Sequence, residues 1–145
     1  MQLFNQDALK SILPHREPML LVEEVRMEGD TAFGRYRVRG DEWFLRGHFP
    51  GHPVVPGVIL CEMMAQTACV LLADIAAGKT PFFTGFDKIR FKNPVEPGQV
   101  FESECRIIKN KGPVYFAEGV GTVGGKVCVK GIFSFALMEP ALDSK

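Results

Sequence analysis

The sequence lacks an excess of either charge, paired cysteine motifs and a leader pattern at its N-terminus. Its 17 basic residues balance 17 acidic residues, which argues against the strongly basic surface of a general nucleic-acid-binding protein. No basic stretch followed by an apolar one opens the chain, so we expect no signal peptide and a cytoplasmic location. No CxxC pair is present, and four buried, reduced thiols are expected: Cys61, Cys69, Cys105 and Cys128.

Internal repeats, linkers and low-complexity tracts are also lacking. The 145 residues are 46% hydrophobic and 23% charged, which is typical of a soluble globular protein with a substantial core. We therefore predict a single domain that spans residues 1–145.

One long apolar segment is present, and it predicts a helix from about Pro56 to Ala77. Its strongly polar side chains after Val58 are few: Glu62, Gln66, Thr67 and Asp74. Each of the two carboxylates would cost about 2.5 kcal/mol or more near a bilayer centre. A helix that is apolar on all sides is better explained by burial inside a soluble protein, so we predict a core helix and no membrane span.

Strand patterns surround this helix. Asn5 can cap a short helix to about Leu13, and Met19–Arg26 and Thr31–Arg39 read as two strands of a hairpin. Period-two patterns with turn signals between them predict four strands after the helix: Phe82–Lys92, a strand containing Phe101–Ile107, Val114–Val123 and Lys126–Met138. An all-round apolar helix needs a sheet that curls about it. The predicted fold is α+β, with an antiparallel sheet wrapped around a central helix.

The loop before the central helix has the composition of a rigid site. Residues 47–57 read GHFPGHPVVPG, with three prolines that restrict the backbone around His48 and His52. The first N–H groups of a helix have no internal partner, and Gly57 has no side chain to block them. The loop therefore predicts a positioned imidazole beside a backbone donor for a substrate oxygen.

Glu62 is the acidic residue closest to the start of this helix. Desolvation raises the pKa of a buried carboxyl group, so we expect Glu62 to be protonated and to act as a general acid. Gln66 follows at i+4, where it can hydrogen-bond and orient the carboxyl group. A base, an acid and a helix-end donor suit proton removal beside a carbonyl with departure of a β-hydroxyl.

Two other kinds of site are disfavoured. His48 and His52 with Glu62 contain suitable metal ligands, but Pro50 and Pro53 prevent a regular helix that would place both rings on one face. Nucleophilic catalysis by Cys61 is marked only by its position next to Glu62.

Three segments resemble one known family. HFPGHPVVPG at residues 48–57, followed by Glu62 and Ala65-Gln66, closely resembles the signature of bacterial (3R)-hydroxyacyl-[acyl-carrier-protein] dehydratases of the FabZ type. LPHREPMLLV at residues 13–22 and GFDKIRF at residues 85–91 match the flanking pattern of that family. The resemblance covers nearly the whole chain.

The resemblance implies a hot-dog fold and dimers that assemble into hexamers, with His48 of one subunit facing Glu62 of the other. It implies that His48 is the base at C2, that Glu62 protonates the C3 hydroxyl and that the Val54 carbonyl orients the imidazole. It implies an acyl carrier protein as partner and neither a metal nor an organic cofactor. Its implied substrate-binding residues are Gly57, Val58, Gln66 and Phe82.

Some positions depart from the family pattern. The segment Pro81-Phe82-Phe83 carries phenylalanine where many relatives have a tunnel-gating tyrosine, and Val55 replaces a frequent methionine. Glu62 in place of aspartate favours the dehydratases that do not isomerise their product. Bifunctional dehydratase-isomerases, thioesterases and CoA-dependent hydratases remain alternatives, while a non-catalytic acyl-binding module has no need of both His48 and Glu62.

A basic rim is expected for an acidic carrier protein. Lys88, Arg90 and Lys92 alternate along one predicted strand, and we expect them on one face at the mouth of the site. An equally good interpretation is that these three side chains are ordinary solvent-exposed charges without a partner protein.

Overall fold

The computed structural model describes residues 1–49 and 51–139. Seven strands form one antiparallel sheet in the order β1-β2-β3-β5-β6-β7-β4. Their bounds are β1 Gln2–Phe4, β2 Glu24–Glu28, β3 Thr31–Arg37, β4 Thr80–Phe91, β5 Val100–Lys111, β6 Val114–Val123 and β7 Lys126–Met138. Pro50, one of the three loop prolines, and residues 140–145, at the end of the predicted domain, lie outside the described residues.

The sheet wraps around one helix, α2 (Gly57–Cys69), which packs on β3, β5, β6 and β7. This is the hot-dog arrangement, so the predicted α+β fold is confirmed. A close approach at Gly34 of β3 allows the packing, because a Cβ there would overlap the Thr67 hydroxyl of α2. After Cys69 the chain tightens into a 3-10 turn, Val70–Leu72, and then α3 (Ala73–Ala76). The local sequence contains no proline or glycine that would mark this change in a helix predicted to continue to Ala77.

The segment Gly57–Ala76 has the length and mean hydropathy, 1.8, of a membrane span. More than half of its most apolar stretch is buried inside the fold, and the sheet around α2 accounts for its apolar composition. It is a core helix, as the sequence predicted.

The N-terminal part agrees with prediction except in its strands. Helix α1 (Gln6–Ile12) has Asn5 as its N-cap, whose side chain accepts from the Ala8 N–H. Strand β1, which we did not predict, pairs with β2. Strand β2 begins at Glu24 instead of Met19, because the backbone of Met19 and Leu21 bonds to a side chain of α2 instead of a neighbouring strand.

The C-terminal hairpins turn where predicted, with Lys111 opposite Val114 and Val123 opposite Lys126. Strand β4 does not pair with its sequence neighbour β5; it pairs with β7 and forms an edge of the sheet. A bulge separates the pairs Asp87↔Ile132 and Arg90↔Lys130. It interrupts the strict alternation predicted for this strand.

Candidate active site

The loop before α2 holds the imidazole of His48 through a backbone carbonyl. His48 Nδ1 lies 2.8 Å from the Val54 carbonyl oxygen. A carbonyl oxygen only accepts, so Nδ1 carries the hydrogen and Nε2 keeps a free lone pair. The loop itself is tied to the segment after β4, since the Val55 N–H donates to the Val95 carbonyl at 2.8 Å. The half-buried ring is therefore oriented as a base.

The N-terminus of α2 lies in the same groove as His48. The helix begins at Gly57, with Pro56 as its N-cap instead of its first residue. A Cβ at Gly57 would come within 2.7 Å of the Phe91 ring, so glycine lets the ring lie directly over the start of the helix. Val58 is 67% exposed. The groove is lined by residues that include His48, Val54, Gly57, Val58, Phe91 and Lys92.

Glu62 lies one turn further along α2 and is fixed by Gln66. The predicted i+4 hydrogen bond is present, because Gln66 Nε2 donates to Glu62 Oε2 at 2.9 Å. The same nitrogen donates to the Met19 carbonyl, and Gln66 Oε1 accepts from the Leu21 N–H, both at 2.8 Å. Both amide hydrogens are thus engaged within the chain. Gln66 therefore holds Glu62 in place, and its role in substrate binding stays a prediction.

His15 is the residue of this site that our sequence reasoning missed. Its Nε2 lies 3.2 Å from Glu62 Oε2, and both side chains are mostly buried. The signal was present, since His15 stands between Pro14 and Pro18 in a segment that resembles the family pattern. No periodicity relates that loop to α2, so the sequence did not indicate this contact.

The expected ionisation of Glu62 was wrong for this chain. Burial raises the pKa of the carboxyl group, as predicted, but hydrogen bonds from His15 and Gln66 and the positive charge of His15 lower it. The net effect holds the pKa of Glu62 below its ordinary value. The sequence showed the apolar helix and could not show how many donors would meet the carboxylate.

His48 and Glu62 line separate cavities. The Glu62 cavity is lined by His15, Ala65, Gln66, Cys69, Pro81, Phe83 and Phe135, and it shares none of its lining residues with the His48 groove. Phe82 lines neither, and it is 56% exposed. The next residue, Phe83, lines the Glu62 cavity, and the role of Phe82 in substrate binding stays a prediction.

The structure gives no support to the two disfavoured sites. His48 bonds to Val54, whereas the exposed His52 has its nearest acidic partner, Glu96, at 3.8 Å. No cluster of three potential metal ligands occurs among residues 1–49 and 51–139. Cys61 is buried, and burial, followed by the neighbouring charge of Glu62, raises its pKa to about 11, so it is a poor nucleophile at neutral pH.

Lys88 and Arg90 lie in β4 and Lys92 directly follows it, and the three do not form one row. Lys88 lies in the bulge and lines an outer depression of the sheet together with Glu118 and Lys130. Lys92 lines the His48 groove. The predicted common face is therefore wrong, because the bulge changes the register between Asp87 and Arg90.

Comparisons with known proteins identify relatives of this chain. Residues 13–131 match the model of the FabA-like domain family. The chain is 44% identical over 139 residues to the 3-hydroxyacyl-[acyl-carrier-protein] dehydratase FabZ of Caldicellulosiruptor bescii, covering 93% of this chain and 99% of that one. It is 42% identical to the protein of the same name from Moorella thermoacetica, covering 92% and 96%. The dehydratase heterocomplex ApeI:P of Xenorhabdus doucetiae shares the fold, with a TM-score of 0.77 and 24% identity over 92% and 91% of the two chains.

Proposed function

The chain belongs to the FabA-like family, and we propose that it is a 3-hydroxyacyl-[acyl-carrier-protein] dehydratase of bacterial fatty acid biosynthesis. It converts a (3R)-hydroxyacyl thioester to the trans-2-enoyl thioester and water. Full-length similarity to the curated FabZ proteins supports this activity. The structural observation that best supports this activity is the imidazole of His48 at the N-terminus of α2. Its Nδ1 is held by a backbone carbonyl, and its Nε2 is free to act as a base.

In the proposed reaction, His48 Nε2 removes the proton from C2. The Gly57 N–H donates to the thioester carbonyl oxygen, where negative charge develops, and preorganised donors of this kind are usually the largest single catalytic effect. The protonated carboxyl group of Glu62 gives its proton to the C3 hydroxyl, which leaves as water while the C2–C3 double bond forms. The chain's own groups supply each proton transfer.

The catalytic unit is a dimer in this proposal, because His48 and Glu62 line separate cavities of one chain. Phe83 and Phe86 of edge strand β4 pair in register with the buried Phe135 and Phe133 of β7, yet they are 37% and 50% exposed. An exposed edge strand with a row of aromatic side chains is a surface for pairing with another chain. A second copy along β4 would cover them and bring His48 of one subunit to Glu62 of the other.

Dimer formation also bears on the ionisation of Glu62. Covering the cavity removes more water from the carboxyl group, which raises its pKa towards the protonated form that the reaction needs. We extend the assembly to a hexamer of three dimers and the location to the cytoplasm, both by analogy with the family.

The partner is an acyl carrier protein bearing the hydroxyacyl thioester. Lys92, at the rim of the His48 groove, is the basic residue best placed to meet an acidic carrier. Lys88 and Arg90 are also proposed as contacts with the carrier, although Lys88 lines a separate depression of the sheet.

The proposed function is tested by assaying dehydration of a 3-hydroxyacyl-[acyl-carrier-protein] with the wild type, His48→Ala and Glu62→Gln. We expect both variants to lose at least about 100-fold in kcat. Folded variants with near-wild-type activity would show that the site is assigned wrongly. Release of free thiol would instead indicate a thioesterase, and a cis-3-enoyl product an isomerase.

A further inference from the structure

A second histidine meets the carboxyl group that the proposed reaction uses as its acid. His15 lies in the loop between α1 and β2, and its Nε2 is 3.2 Å from Glu62 Oε2. The proposed mechanism gives His15 no part. Its position is nevertheless well defined, because Arg16 anchors the loop by donating to the carbonyls of Leu13 at 2.9 Å, His15 at 2.7 Å and Lys10 at 3.0 Å.

The two oxygens of Glu62 have different surroundings. Oε2 accepts from Gln66 and lies 3.2 Å from His15 Nε2, whereas Oε1 has no hydrogen-bond partner within the described part of the chain. A proton is held least well on an oxygen that already faces two nitrogen donors, so the reacting proton belongs on Oε1. The arrangement fixes the carboxyl plane in both the protonated and the ionised form.

The other ring nitrogen of His15 indicates its tautomer. Nδ1 is buried and has no partner within residues 1–49 and 51–139. A carboxylate oxygen only accepts, so in the neutral form of the ring the hydrogen sits on Nε2, facing Glu62 Oε2, and Nδ1 is a bare acceptor nitrogen. Within the described residues, the polar contact of this ring is with the carboxyl group of Glu62.

We propose that His15 is a positioning residue for Glu62: it holds Oε2 so that Oε1 delivers the proton, and it stabilises the carboxylate left afterwards. The proposal rests on the proposed dehydratase function. His15 touches no reacting atom in this scheme and acts through Glu62. The third titratable group among the residues that line this cavity is Cys69, a buried thiol whose pKa burial raises to about 12, so it stays neutral across the working range.

Two substitutions distinguish the contribution of the N–H donor of His15 from that of the volume of its ring. His15→Phe fills the space without a donor, and His15→Gln retains an N–H at a similar reach. We expect His15→Phe to lower kcat about 10- to 100-fold with little change in KM, as for other small misplacements of a catalytic group. His15→Gln should recover most of that loss. His52→Gln, at an exposed imidazole, serves as the matched control and should leave kcat unchanged.

The pH profile gives a readout that a purely structural role would not move. Removing a donor from the carboxylate raises the pKa of Glu62, so in His15→Phe the limb of the kcat/KM profile that depends on Glu62 moves to higher pH. A drop in kcat with this limb unmoved, or equal loss in His15→Phe and His15→Gln, would overturn the proposal. The proposal would also be overturned if His15→Phe lowered kcat by the same factor in the Glu62→Gln background as in the wild type. The effect of His15 would then not depend on the carboxyl group of Glu62.

Direct titration of Glu62 tests its contact with His15 without relying on dehydratase activity. The carboxyl carbon of Glu62 is labelled with carbon-13 and assigned by its absence in Glu62→Gln, and its pKa is compared between the wild type and His15→Phe. A higher pKa in the variant supports the contact even if no dehydratase activity is found; an unchanged pKa refutes it. An inactive wild type would refute the proposed function alone.

Discussion

His48 donates from Nδ1 to the Val54 carbonyl oxygen over 2.8 Å. The contact links the two ends of the proline-rich loop and leaves Nε2 as the only ring nitrogen able to accept a proton. The catalytic assignment and the conformation of the loop thus depend on one residue.

His48→Asn separates these two roles. An asparagine amide can reproduce the donor to Val54 but cannot act as a base, so kcat should fall about 10²- to 10⁴-fold while the thermal midpoint stays close to wild type. His48→Ala, which loses both roles, should be equally inactive and less stable. Steady-state kinetics and thermal unfolding would check this, and appreciable activity in His48→Asn would exclude His48 as the base.

A site shared between two subunits predicts complementation. Chains with His48→Ala and chains with Glu62→Gln are each inactive, but a mixed dimer contains one site with both wild-type groups. Co-expression with random pairing should restore about one quarter of wild-type activity. Activity would be measured on the purified mixture beside each single variant. No recovery, in mixtures shown to contain hetero-dimers, would mean that the site lies within one chain.

Edge strand β4 is expected to be the dimer contact. Phe86→Lys places a charge on the exposed aromatic face and should weaken self-association at least about tenfold, because a charge in a buried interface is left unpaired. Sedimentation over a range of concentrations measures the effect, and dehydratase activity should fall with it. Leu3→Lys, on β1 at the opposite edge and 57% exposed, is the control, and an equal effect there would argue against β4.

Glu42 predicts how the stability of the fold depends on pH. Burial raises the pKa of its carboxyl group, but the N–H groups of Arg39 and Gly40 and the Tyr36 hydroxyl, all donating to it, lower the pKa overall. A lowered folded-state pKa gives stability that is complete above the unfolded pKa and is lost as pH falls through the folded value. Glu42→Gln should therefore reduce the free energy of unfolding at pH 7 by about 1–3 kcal/mol and weaken its decline in acid.

Urea unfolding at pH 7 and pH 4, at one protein concentration, would test this. The neighbouring Asp41 has a side chain that is 76% exposed, and Asp41→Asn should change stability by less than about 0.5 kcal/mol. If both variants kept the wild-type pH dependence, Glu42 would not be the group responsible.

Local patterns in the sequence determined much of this protein. The alternating patterns and the turn glycines predicted the hairpins at Gly29 and at Gly124-Gly125. The apolar segment predicted that Glu62 and Gln66 lie on one buried helix. The i+4 hydrogen bond between them followed from helix geometry alone. Sequence periodicity predicts hairpins and helices because each of them depends on residues that are close together in the chain.

Only the tertiary structure decided which distant residues meet. Strand β4 pairs with β7 across the sheet, and the bulge at Lys88 arises within that pairing. Loop residues 19–21 bond to Gln66 instead of extending β2. His15 reaches Glu62 from a loop with no periodic relation to α2, and with Gln66 it reverses the expected direction of the carboxyl pKa. A pKa depends on the donors that folding brings to a group, and those donors come from distant parts of the chain.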